Sequence, residues 1–126
     1  MGVVEQLRLV EQVELDQVRL GALYTQLGEQ NAESVVARAM EELASRLAQC
    51  RAQWNGGKTA QLRKNSRSLI AISEQIGMYR LAQVAADVTS SIDARDDVAV
   101  AATLARLMRT GERSLSAVWK MEDQRL

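Results

Sequence analysis

Between Asn31 and Trp54 the apolar residues fall at Val36, Met40, Leu43, Leu47, Cys50 and Trp54, in alternating steps of four and three. That spacing keeps one side of an α-helix apolar along its length, because residues three and four apart share a face. Asn31 stands where an N-cap is expected, Glu33 where a carboxylate complements the helix dipole, and Asn55-Gly56-Gly57 is a strong stop signal. A second helix is expected from about Lys58 to Ile76, with Leu62, Leu69, Ile72 and Ile76 on one side and Gly77 ending or bending it. A third carries Leu81, Val84, Val88 and Ile92, again by threes and fours. It runs out in Asp93-Ala94-Arg95-Asp96-Asp97, where Asp96 can cap the helix that follows. That last helix presents Ala101, Leu104, Met108, Leu115 and either Val118 or Trp119. Gly111 falls in the same stripe. A mid-helix glycine costs roughly 1 kcal/mol relative to alanine, so a tight contact between helices is the expected compensation.

The start of the chain is less regular. Val3, Leu7, Val10, Val13, Leu20, Leu23, Tyr24 and Leu27 hold no single seam and predict two short segments or one bent helix ending near Gly28. Connections of two to five residues make the four longer helices antiparallel neighbours. The expected fold is therefore all-α, an antiparallel up-down four-helix bundle with an additional N-terminal helix laid across it, in a single domain over residues 1–126. The residue stock agrees, since proline and phenylalanine are absent and Ala, Leu, Gln, Glu and Arg are good helix formers.

Charge and composition narrow the function. Sixteen basic and sixteen acidic residues leave no net charge and no basic stripe to meet phosphates, so nucleic acid is not an expected partner. The lone Cys50 makes neither an internal disulfide nor a four-ligand zinc site, which points to the cytoplasm, and in its helical stripe it reads as a buried, inert thiol. The opening stretch MGVVEQLRLVEQVELDQ mixes acids with aliphatics and does not resemble a signal peptide. No run of about 18 apolar residues suggests a membrane span.

With no histidine, the chain lacks an imidazole base, a phosphohistidine and any Glu-x-x-His metal pair, and no metal or cofactor is expected. Gly57-Lys58-Thr59 matches the end of a phosphate-binding loop, yet Ala52 stands at the earlier glycine and a helix precedes it, so it is not read as a nucleotide site. No nucleophile with its base can be assembled, and an enzyme is not expected. Trp54 and Trp119 are core or helix-end anchors, and either is a good binding anchor if exposed.

The segment Arg67-Ser68-Leu69-Ile70-Ala71-Ile72-Ser73-Glu74-Gln75-Ile76-Gly77, continuing Met78-Tyr79-Arg80-Leu81, carries a family likeness. Together with the helix order, it resembles the histidine phosphotransfer (HPt) domains of multistep two-component phosphorelays, over about residues 16–122. That family shows an exposed histidine on the second long helix of a four-helix bundle, in a pattern His-x-Leu-Lys-Gly with a glycine further along. Leu69, Ile76, Gly77 and Leu81 match the family's structural positions. Arg67 stands where the phospho-accepting histidine belongs, Ile70 where the charge-neutralising lysine does, and Ala71 where a glycine keeps the surface open. A guanidinium stays protonated and has no lone pair with which to attack an aspartyl phosphate, so Arg67 cannot be the carrier.

The resemblance implies a degenerate, non-catalytic HPt-like module. Such a module binds a response-regulator receiver domain or a histidine kinase and modulates phosphotransfer without carrying phosphate. Helical spacing gives its partner-binding face as Arg63, Arg67 (or Ser66), Ile70 and Glu74. On the residues alone, Ile70 equally borders the core beside Leu69, leaving Arg63, Lys64 and Arg67 as an ordinary solvated face. The alternative function is a structural or self-association module, a homodimer that buries Ile70 or the N-terminal Val3, Val4 and Leu7.

Overall fold

Three of the connections in this chain are three residues long and end the preceding helix in the same way. The computed structural model describes residues 16–125, and these form α1 (Gln17–Leu27), α2 (Glu29–Asn55), α3 (Thr59–Gln75), α4 (Tyr79–Asp93) and α5 (Asp97–Arg125), with no strand among the described residues. After α2, Gly57 takes φ 70° and donates its N–H to Trp54 O, while Lys58 N–H returns to Gln53 O. After α3, Gly77 takes φ 80° and donates to Glu74 O, with Met78 N–H returning to Ser73 O. After α4 the same pair of bonds runs from Arg95 to Ile92 O and from Asp96 to Ser91 O. Each is a left-handed cap that satisfies helix-end carbonyls and reverses the chain at once. Arg95 is the exception in chemistry, a non-glycine residue at φ 55°.

The four longer helices contact one another in a closed ring, α2 with α3, α3 with α4, α4 with α5 and α5 with α2. The backbones of helices at opposite corners do not approach closely. The described helices share one core of almost wholly aliphatic side chains, in which Leu43, Leu62, Leu69, Ile76, Met78, Leu81 and Leu107 are fully buried. Burial of a side chain of this kind contributes about 1.5–3 kcal/mol each.

α1 packs along α2 and sends Leu20 and Leu23 into the core. Its start is pinned to the α3–α4 turn: Asp16 N–H donates to Gly77 O at 2.8 Å and Arg19 Nε–H to Gln75 O at 3.1 Å. Gly77 is required there twice over. Its φ is left-handed, and a β-carbon would lie 2.9 Å from Asp16 O.

Two expectations from the sequence are corrected. Asn31 is not the N-cap of α2: the helix starts at Glu29 after Gly28, whose φ 78° and ψ 162° only glycine adopts readily, and Asn31 instead donates its side-chain N–H back to Leu27 O. Glu29 rather than Glu33 is thus the first-turn acid. On α5 the buried line is Val100, Leu104, Leu107, Gly111, Ser114 and Val118, while Ala101 is exposed, Met108 and Leu115 border the core, and Trp119 is 65% exposed. The polar Ser114 disguises this line, and it is tolerated because its Oγ–H donates to the Thr110 backbone O at 2.7 Å. Asp96 caps α5 as its position suggested, its carboxylate accepting from Ala99 N–H at 3.0 Å. Val3, Val4, Leu7, Val10 and Val13 lie outside the described residues.

Candidate functional site

The face of α3 is fixed from both flanks. Toward α2, Asn65 is buried and bonded twice to Arg46: its side-chain N–H donates to Arg46 O at 3.0 Å and its Oδ1 accepts from Arg46 Nη1 at 3.1 Å. Toward α4, Arg63 makes a two-pronged pair with Asp93, Nε to Oδ1 at 2.6 Å and Nη2 to Oδ2 at 3.1 Å. Such a fork adds geometric specificity to charge attraction. The Arg63 hydrogen bond holds the Asp93 carboxyl below the usual aspartate range, and the Arg67 charge adds to that effect. In return Asp93 raises the Arg63 guanidinium further.

The structure divides the four residues that helical spacing placed together. Arg67 and Glu74 are exposed. Ile70 is half-buried and packs against the core, and Arg63 turns to Asp93. Ser66, the other candidate for the Arg67 position, is fully buried and donates to Leu62 O at 2.9 Å. The solvent line on α3 therefore runs Lys64, Arg67, Ala71, Glu74, at steps of three and four. The positions that carry the family likeness through packing behave differently: Leu69, Ile76, Gly77 and Leu81 are all buried. The arrangement presents a cation, flanked by a second cation and a small side chain, in the middle of a helix held from both sides.

Cys50 is fully buried beside α3, and burial pushes its thiol up to about 11, so it is protonated at neutral pH. Among the described residues no group of three or more acidic or cysteine side chains can hold a metal ion, and no helix is long and apolar enough to cross a membrane. Gly57-Lys58-Thr59 follows a helix and forms the α2–α3 connection.

A second feature escaped the sequence reading. An open groove of about 730 Å³ lies on the α2–α5 side, lined by Ala37, Met40, Ala44, Leu115 and Trp119 together with the polar Glu41, Glu112 and Ser116. Helical spacing from Trp119 back to Ser116 and Glu112 would have placed these on one exposed line, had the core stripe of α5 been drawn one position earlier. Trp54, by contrast, is partly buried against the core. Comparison with protein-family models, with curated proteins and with solved structures gives no match.

Proposed function

We propose that the chain is an HPt-like signalling module that docks on a receiver domain, or on the histidine kinase that feeds it, through the Arg67 face of α3, and modulates phosphotransfer without carrying phosphate. The observation that carries this reading is the placement of Arg67. It is solvent-exposed at the middle of α3, while the matching structural positions around it, Leu69, Ile76, Gly77 and Leu81, are buried. The chemistry has departed from the family pattern and the packing has not.

The order of helices supports the reading further. Contacting helices joined by three-residue reversals are antiparallel neighbours, so the ring of α2 to α5 is an up-down four-helix bundle, with α1 as the extra helix beside it. A receiver's phosphorylation pocket is acidic by its chemistry, and Arg67 with Lys64 offers it a positive surface. Arg63 contributes indirectly: it holds the Asp93 carboxylate in a two-pronged pair beside that face. The module acts by occupancy, as a non-enzyme in the cytoplasm.

Calorimetric titration against receiver domains tests this, with Arg67→Glu as the matched control. Binding of wild type that Arg67→Glu weakens tenfold or more, roughly 1.4 kcal/mol, supports the reading. Stable transfer of labelled phosphate onto the chain, or indifference of binding to Arg67→Glu, refutes it.

A further inference from the structure

The even charge balance of the whole chain conceals one local concentration of charge. On α5, Arg106, Arg109, Arg113 and Lys120 follow one another at steps of three, four and seven, which puts all four on a single line of the helix. All four are exposed. On the side of α4 one carboxylate answers them, that of Asp87, whose Oδ2 lies 3.6 Å from Arg106 Nη1. Among the described residues Arg109, Arg113 and Lys120 take part in no ion pair. Cations three and four apart on a helix repel one another, and here their own chain leaves that repulsion largely uncompensated. The exposed Glu112 and Asp123 border the line on the flank turned away from α4.

We propose that this line of α5 docks an acidic helix of a second protein, one whose carboxylates lie on a single face. At 1.5 Å per residue the four cations are separated by about 4.5, 6 and 10.5 Å along the helix axis. A helix laid alongside repeats those intervals wherever its own acids fall at steps of three, four and seven, so each cation meets a carboxylate in register. An extended chain presents same-side residues about every 6.6 Å and does not keep that register. Glu112 and Asp123 repel a broad polyanion, which would cover them together with the cations, whereas a helix is narrow enough to lie on the cations alone. A second copy of this chain does not supply the match, because no described helix places more than two carboxylates on one such line. The docking does not rest on the Arg67 reading: α5 stands at the corner of the ring opposite α3, and their backbones do not approach closely.

Two synthetic helical peptides of identical composition test the match. One carries its glutamates at steps of three, four and seven on a single face, and the other spreads them around the helix. In amide NMR titrations at low ionic strength the one-faced peptide is expected to shift signals along α5 between positions 106 and 120. It is expected to bind at least about fivefold more tightly than its counterpart, since both carry the same net charge and only one has the register. The double change Arg109→Gln with Arg113→Gln is expected to weaken this binding about tenfold. Arg38→Gln with Arg51→Gln, which removes the same charge from exposed positions of α2, is expected to leave it unchanged. Circular dichroism confirms that each variant keeps its helices. Equal affinity of the two peptides, shifts centred away from α5, or absence of binding overturns the inference. So does tighter binding to a short DNA duplex or to phosphatidylserine vesicles, which would assign the line to a phosphate-bearing surface.

Discussion

Gly111 of α5 lies against Leu47 of α2 so closely that a β-carbon at position 111 would stand 2.5 Å from Leu47 Cδ1 and 3.1 Å from Cδ2. Leu47 is itself buried, so it has little room to move aside. The glycine that local propensity disfavours is thus the residue that lets the two longest helices touch.

Gly111→Ala is expected to destabilise the protein although alanine is the better helix former. Propensity contributes about 1 kcal/mol in favour of alanine, and overpacking costs about 1–3 kcal/mol against it. The net loss is roughly 1 kcal/mol by denaturant unfolding. Pairing the change with Leu47→Ala should give less than the sum of the two single effects, since the small side chain removes the clash.

The left-handed positions give opposite results by residue. Arg95→Gly is expected to stabilise by about 0.5–1 kcal/mol, because glycine adopts φ 55° without a β-carbon penalty. Gly77→Ala is expected to cost about 2 kcal/mol or more, adding a clash with Asp16 O to the same penalty. Thermal unfolding of the two variants measures both directions.

Ser73 Oγ is buried without a hydrogen-bond partner among the described residues. Removing a buried hydroxyl that has no partner recovers its desolvation cost of about 1–3 kcal/mol, less a small packing loss. Ser73→Ala should therefore raise the unfolding midpoint, and a fall would reveal a partner for the hydroxyl.

The Asp93–Arg63 pair sets a pH dependence. Asp93 titrates below its ordinary value in the fold, so its contribution to stability is present above the ordinary aspartate range and is lost as pH falls through the lowered value. Carbon-detected NMR titration should find the Asp93 midpoint below 3.8 in the wild type and higher in Arg63→Gln. The stability difference between these two proteins should shrink on acidification and vanish once Asp93 is protonated in both.

Periodicity revealed most of the architecture because the stripes of α2 and α4 are uninterrupted, and because Gly56-Gly57 and Gly77 are chemically explicit stops. On α5 it placed Leu104, Gly111 and Val118 on the buried line but set Ala101, Met108 and Leu115 one position late. Two adjacent lines there are both partly apolar, and the true one contains Ser114, whose hydroxyl is satisfied by its own helix. It misplaced the start of α2 because Gly28 both ends α1 and opens α2, and a glycine is a less conspicuous opening signal than an asparagine. On α3, spacing alone identified Arg67 and Glu74 as exposed. It could not show that Arg63 is claimed by Asp93, thirty positions away, because ion pairs between helices depend on rotations that no single helix encodes.

The closed ring of contacts also carries an order of assembly. Every pair of helices whose backbones run close together is adjacent along the chain except α2 and α5. Short reversals let α2–α3, α3–α4 and α4–α5 zip as successive local hairpins, each closing only a small loop of chain. The α2–α5 seam joins the two ends of this series, and it forms when the intervening hairpin has already brought its two sides within reach. Rates typical of low-contact-order helical proteins follow. Seam residues such as Leu47 should then act mainly on the speed of unfolding, and residues in the α3–α4 hairpin on the speed of folding.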